Sequence, residues 1–241
     1  ALLRKISPKL AIPLRVGDPT GILRTIHHHP PLRDMACLTN ARGEVDVSAF
    51  EHALTNDESA IPLVRGDQID CFRSDLPSAK KSFVDAYEFA SRLERSPKFE
   101  HYGYERLVGR QCSYLYRHKR LSFARVPAEH AVANSCNYLS MPDSPTRLLY
   151  LLALLNSSLL NWRFKVTNSN NHVANAELDE LPVPNPTTVP DAVIAELCDL
   201  AQALSLRTDP DTFARLDELV FKLYGLSVRQ AGYVTEAEAS P

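Results

Sequence analysis

Apolar positions recur with a helical period between Ser78 and Arg95, where Phe83, Ala86, Tyr87, Ala90 and Leu93 are spaced by three and four, with Lys80, Lys81, Asp85, Glu88 and Arg92 between them. The spacing predicts an amphipathic helix. Leu148 to Phe164 is apolar nearly all round, with Arg147 before it and Arg163 and Lys165 at its far end, which predicts a helix inside the core. In Leu181-Pro182-Val183-Pro184-Asn185-Pro186 the prolines forbid a helix, and a linker or domain edge is expected there. Beyond it Pro190 opens a helix whose face is Val193, Ile194, Leu197, Leu200, Ala201 and Leu204. Asp209 and Pro210 open a second, lined by Phe213, Leu216, Leu219, Val220 and Leu223 and stopped at Gly225. So short a connection predicts an antiparallel helical hairpin. Ile61 to Val64, Leu121 to Val126 and Tyr138-Leu139 read as short strands. The fold class is therefore α+β: a mixed, short-stranded sheet with packing helices over residues 1–186, then a helical tail over 187–241, without internal repeats.

Composition narrows the function. A chain of 241 residues, 44% hydrophobic and 23% charged, has enough apolar side chains for a sizeable core. The longest apolar run, Leu148 to Leu155, is far short of the roughly 20 residues that span a bilayer, so no membrane partner is expected. Ala1-Leu2-Leu3-Arg4-Lys5 does not read as a secretory signal, and a cytoplasmic location follows as an expectation. Cys37, Cys71, Cys112, Cys136 and Cys198 are odd in number, far apart and without a Cys-x-x-Cys pair, which predicts reduced, buried thiols. The eight glycines make neither a dinucleotide fingerprint nor a phosphate loop, and no G-x-S-x-G or H-E-x-x-H occurs. Asp67 and Asp70 lie close together around a turn, without the lysine on a strand that metal-dependent nuclease chemistry would want. No catalytic residue, metal ligand or cofactor-binding residue is assigned, and a complete small hydrolase or nuclease is the weakest reading.

Charge is unevenly spread. From His101 to Arg125 six cations (Arg106, Arg110, Arg117, Lys119, Arg120 and Arg125) face one acid, Glu105, a local charge of +5. The chain's net charge is −2, so the remainder carries −7. Tyr102, Tyr104, Tyr114, Tyr116 and Phe123 are interleaved with these cations. Cations that displace counterions, with flat side chains that hold register, suit a nucleic-acid surface. A solvated basic strand pair with core tyrosines is the equally open alternative.

Asn168-Ser169-Asn170-Asn171-His172 follows the apolar helix. Asparagine pairs bidentately with the major-groove edge of adenine, although the same residues form turns, and by themselves they fit a turn better. Asn168, Asn170, Asn171 and His172 are the candidate base-readers, with Arg65 and Gln68 as weaker ones. His27-His28-His29 cannot all face one ion on regular structure, so they are expected in a surface loop.

Several segments in order resemble one known family: Gly43-Glu44-Val45-Asp46-Val47; Ile61 through Ile69; Asn134-Ser135-Cys136-Asn137-Tyr138-Leu139; Leu155 through Trp162; Asn170-Asn171-His172-Val173 running into Glu177-Leu178 and Leu181-Pro182-Val183-Pro184; and the closing Leu219 to Leu226. Over roughly residues 40–226 the chain resembles the C-terminal target-recognition domain of type II restriction-modification enzymes that methylate adenine at N6, in particular the type IIS group with a TaqI-like specificity domain. The resemblance implies a module that grips double-stranded DNA and reads base edges, beside a separate methyltransferase domain or subunit that flips the target adenine and uses S-adenosylmethionine. That catalytic domain needs an Asn/Asp-Pro-Pro-aromatic motif, and here Asn185-Pro186 is followed by Thr187. The chain therefore reads as the recognition part alone. The runner-up is a protein-interaction module that docks a partner through the helical hairpin.

Overall fold

A computed structural model describes residues 20–75, 82–142 and 144–239. Its helices are α1 (Thr20–Ile26), α2 (Ala86–Leu93), α3 (Pro97–Tyr102), α4 (Pro145–Asn156), α5 (Ser158–Thr167), α6 (Asn175–Leu178), α7 (Asp191–Leu206), α8 (Pro210–Leu223) and α9 (Val228–Ala239). Its strands are β1 (Thr39–Arg42), β2 (Leu54–Thr55), β3 (Ile61–Val64), β4 (Phe83–Val84), β5 (Arg106–Arg110), β6 (Phe123–Val126), β7 (Ala131–Val132) and β8 (Cys136–Ser140). The architecture is α+β, as the sequence predicts.

The strands form two four-stranded sheets. The first, ordered β1-β8-β5-β6, is antiparallel throughout, with Arg42 opposite Asn137, Arg110 opposite Cys136 and Gly109 opposite Phe123. The second, ordered β2-β4-β3-β7, ends in a parallel pair that sets Leu63 against Ala131. Side chains on a strand alternate between faces, and the burial follows that rule. Leu107 and Leu139 join the large core with the helices, whereas their neighbours Val108 and Tyr138 join a smaller one with Val64 and Val132 of the second sheet. The first sheet is thus covered on one side by helices and on the other by the second sheet. A third cluster packs Phe89 and Leu93 of α2 against Val45, Leu63 and Val84.

Two of the predicted helices are corrected. The periodic stretch ending at Arg95 is helical only from Ala86: Phe83 and Val84 form β4, pairing with β2 and β3, and residues 78–81 lie outside those described. The Asp85 carboxylate accepts the Glu88 amide and sets the helix start, a local signal that outweighs the longer period. The long apolar helix is two helices. Ser157 adopts an extended backbone (ψ 153°), donates its hydroxyl to the Leu154 carbonyl at 2.6 Å and accepts the Leu160 amide at 3.3 Å, capping α5.

The helical hairpin forms as expected, with α7 and α8 packed together and Gly225 left-handed (φ 70°) just beyond α8. A further helix, α9, follows it and lies on α5. Leu197, Ala201, Leu204, Leu216, Leu219, Val220 and Val234 share one core with Leu107, Leu151 and Trp162, so the apolar packing runs on across Pro186. All five cysteines are free, and Cys37 is exposed where a buried thiol is expected.

Candidate nucleic-acid interface

Four connecting segments meet at one end of the first sheet. Gly66 donates its amide to the Ser135 hydroxyl at 3.0 Å, and a Cβ at Gly66 would stand 2.7 Å from the Ser135 carbonyl oxygen, so only glycine permits this approach. Gln111 donates to the Ser135 carbonyl at 3.0 Å, and Val173 donates to the Gln111 carbonyl at 2.8 Å. Arg110 donates to the Ile69 carbonyl at 2.5 Å. The segments 65–70, 111–121, 133–136 and 168–173 are therefore stitched into one surface, with Arg42 at its margin donating to the Asn134 carbonyl at 2.8 Å.

The 111–121 loop connects β5 to β6, and buried asparagines hold it. Asn156, at the end of α4, accepts the Phe123 amide and donates to the Phe123 carbonyl, both at 2.9 Å, as a neighbouring strand would. Asn161 of α5 accepts the amides of Arg120 and Leu121 at 2.8 and 3.0 Å and donates to the His118 carbonyl at 3.1 Å. Leaving either amide unpaired in this core would cost on the order of 1–3 kcal/mol, so the two residues fix where the loop starts and stops.

The predicted site residues separate into two groups. Arg106 is wholly buried: it pairs with the buried Glu44 at 3.1 Å, donates to the His130 carbonyl at 2.5 Å and lies over the Tyr138 ring. Burial raises the Glu44 carboxyl, and the Arg106 charge and the Val132 amide work against that rise. Arg120 is buried too, donating to the carbonyls of Ser113, Asn168 and Asn170 at 3.2, 3.3 and 2.5 Å across the Phe164 ring. Burial pulls its guanidinium below the usual range. Arg125 pairs with Glu105 at 2.7 Å and donates to Gln202 of α7 at 2.6 Å. These three arginines hold the fold together and present no free charge at the sheet end.

Arg117 is exposed, and among the described residues its side chain has no hydrogen-bond or ion-pair partner. Arg110 is half-buried: burial and then the neighbouring Arg117 lower it, while Asp70 and Asp67 oppose them. Lys119 lies over the Phe213 ring and donates to the Ser158 hydroxyl at 3.2 Å. Arg65 is half-buried beside Gln68, whose Oε1 accepts the Arg65 amide at 2.6 Å and whose Nε2 is buried without a partner among the described residues.

The amide-rich loop is a turn with exposed tips. Asn168 is buried, accepting the Asn170 amide at 3.1 Å and donating to the His172 carbonyl at 3.1 Å, so it shapes the turn. Asn171 accepts the amides of Ser113 (through its carbonyl, 2.8 Å) and Leu115 (through its side chain, 3.0 Å), anchoring the neighbouring loop. Asn170 and His172 are exposed. Among the candidates, then, Arg110, Arg117, Asn170, Asn171 and His172 come together, with Arg65 and Gln68 adjoining them through Gly66 and Ser135.

Sequence reasoning missed Arg42, Asn134 and Ser135 as parts of this surface, because they reach it by strand register rather than by proximity along the chain. The exposed Tyr114 and Tyr116 were visible only as members of a basic, aromatic stretch. Gly43, Gly66 and Gly109 approach this chain's own backbone or the Phe123 ring. His27 accepts a hydrogen bond from the Arg163 side chain at 2.8 Å and His29 meets Tyr224 edge-on, so two of the three histidines face the core and only His28 is exposed.

No family model and no curated relative matches the sequence. Among solved structures the chain is similar to the type IIG restriction endonuclease BpuSI, with 12% identity and a TM-score of 0.49 over 84% of this chain and 33% of that one. It is also similar to the type IIL restriction-modification enzyme MmeI in complex with DNA, with 15% identity and a TM-score of 0.43 over 87% and 34%. The chain spans about a third of the length of either enzyme.

Proposed function

We propose that the chain is a double-stranded-DNA recognition module of a restriction-modification adenine-N6 methyltransferase with a TaqI-like specificity domain, working beside a catalytic domain or subunit that binds S-adenosylmethionine and transfers the methyl group. The observation that carries this reading is the meeting, at one sheet end, of an exposed arginine with no partner among the described residues, a second arginine near it and exposed amide and imidazole groups on loops held by buried asparagines. Arg117, with Arg110 near it and Arg42 at the margin of the surface, takes phosphates; Asn170 and His172, the exposed tips, read base edges. Asn168, Arg106, Arg120 and Arg125 position the loops and the sheet. The protein-interaction alternative is less favoured, because most of the apolar residues on the facing sides of α7 and α8 pack into the core.

Salt-titrated binding to duplexes selected from a randomised pool tests the reading. Arg117→Glu should weaken every duplex alike and lower the slope of log affinity against log salt by about one, whereas Arg95→Glu, a highly exposed arginine on the turn after α2, should leave both unchanged. Asn170→Ala should relax choice at one base pair, a loss of about 1–3 kcal/mol of discrimination. Affinity indifferent to the Arg117 reversal would overturn the assignment.

A further inference from the structure

Tyr114, Leu115 and Tyr116 are large apolar side chains in a row, exposed by 43%, 52% and 80%. A single exposed apolar residue is ordinary on a protein surface, but a contiguous group marks a contact site. The two tyrosine rings are parallel to within 5°, with centroids 5.4 Å apart. A base inserted between them would need about 6.8 Å, twice the roughly 3.4 Å rise per base, so the pair is already closed and offers an outer face. Tyr116, the more exposed of the two, supplies it.

The pair is presented on a braced loop. Ser113 and Leu115 donate their amides to Asn171, Arg117 closes a turn onto the Tyr114 carbonyl at 3.0 Å, and the Arg120 guanidinium ties the Ser113 carbonyl to those of Asn168 and Asn170. A ring held this way loses little freedom on binding, which is what a recognition platform requires. Cations and hydrogen-bonding groups flank it: Arg117 follows Tyr116 directly, Arg110 lies near Arg117, and Asn170 and His172 are exposed on the adjoining turn.

Bases inside a duplex turn their edges to the grooves and hide their faces in the stack. Only a base that has left the stack offers a face to a tyrosine ring, and every base has one, so such stacking needs no particular sequence. We propose that the Tyr114–Tyr116 pair is a stacking platform for a nucleobase displaced from bound DNA, with Arg117 holding the adjoining phosphate and the Asn170–His172 turn lying within the same surface for the edge of the base. This proposal rests on the DNA-recognition reading above.

The test compares a fully paired duplex with the same duplex carrying one unpaired 2-aminopurine, by equilibrium affinity and by the fluorescence of that base, which falls when it stacks. The whole chain should bind the unpaired form more tightly and quench it. Tyr114→Ala/Tyr116→Ala should lose about 5- to 150-fold of the preference for the unpaired form over the paired duplex, and lose the quench. Tyr114→Phe/Tyr116→Phe should behave as the unmodified chain, since stacking needs the ring and not the hydroxyl. Equal affinity for the two duplexes, or a quench that survives the double alanine change, would overturn the platform while leaving DNA recognition standing. Failure of the unmodified chain to bind any duplex in a salt-dependent way would overturn both.

Discussion

Arg106 and Glu44 are each removed from water completely, and that fixes what either substitution does. Arg106→Leu leaves a carboxylate buried without its partner, a loss of about 3–5 kcal/mol in urea-induced unfolding. Replacing both, Arg106→Leu with Glu44→Leu, should cost less than Arg106→Leu alone; a double variant less stable than the single would refute the pairing as the cause. His27 gives the pH counterpart. Burial, and then the Arg163 charge, lower its pKa from 6.5 to about 3. Between those values the unfolded chain holds a proton on this imidazole that the folded chain refuses, so stability falls as pH drops from 6.5 toward 3. His29, lowered by burial and by His28, works in the same direction. The unfolding midpoint should therefore fall less between pH 7 and pH 5 in His27→Gln than in the unmodified chain, and equal falls would contradict the assignment. Composition exposes the +5 segment but not which of its charges meet water: Arg106 and Arg117 look alike in a sequence, and only the fold, which brings Glu44 to one of them, separates their roles.

At the scale of elements, the break between α4 and α5 does most to place the candidate surface. An uninterrupted helix from Leu148 to Phe164 would not hold Asn156 and Asn161 in the geometry that grips Phe123 and the 118–121 backbone. Ser157, wholly buried, makes the break by capping α5. Ser157→Ala should cost about 0.5–2 kcal/mol, read as a shift of the unfolding midpoint. Asn161→Ala should in addition speed amide exchange at Arg120 and Leu121, whose N–H groups it accepts; unchanged exchange there would show that the loop is held by something else. The helical hairpin was legible because Asp209 caps the start of α8 and Gly225 stands just beyond its end. The α4–α5 break was not, because a serine pair within an apolar run carries no period of its own. β5 was missed for a related reason: Arg106 and Arg110 are charges in a strand whose partners arrive from residues 44 and 69.

For the whole molecule, the layers explain why one end of the first sheet is available for binding. Helices cover one face of that sheet and the second sheet covers the other, so its side chains are spent on packing. The free groups lie in the connections, which the rigid scaffold holds in place. The central claim is that this end contacts duplex DNA, and hydrogen–deuterium exchange of the whole chain with and without saturating duplex tests it most directly. Slowed exchange confined to residues 65–70, 111–121, 133–136 and 168–173 is the predicted result. Slowing on α7, α8 and α9 with none in those four segments would contradict it.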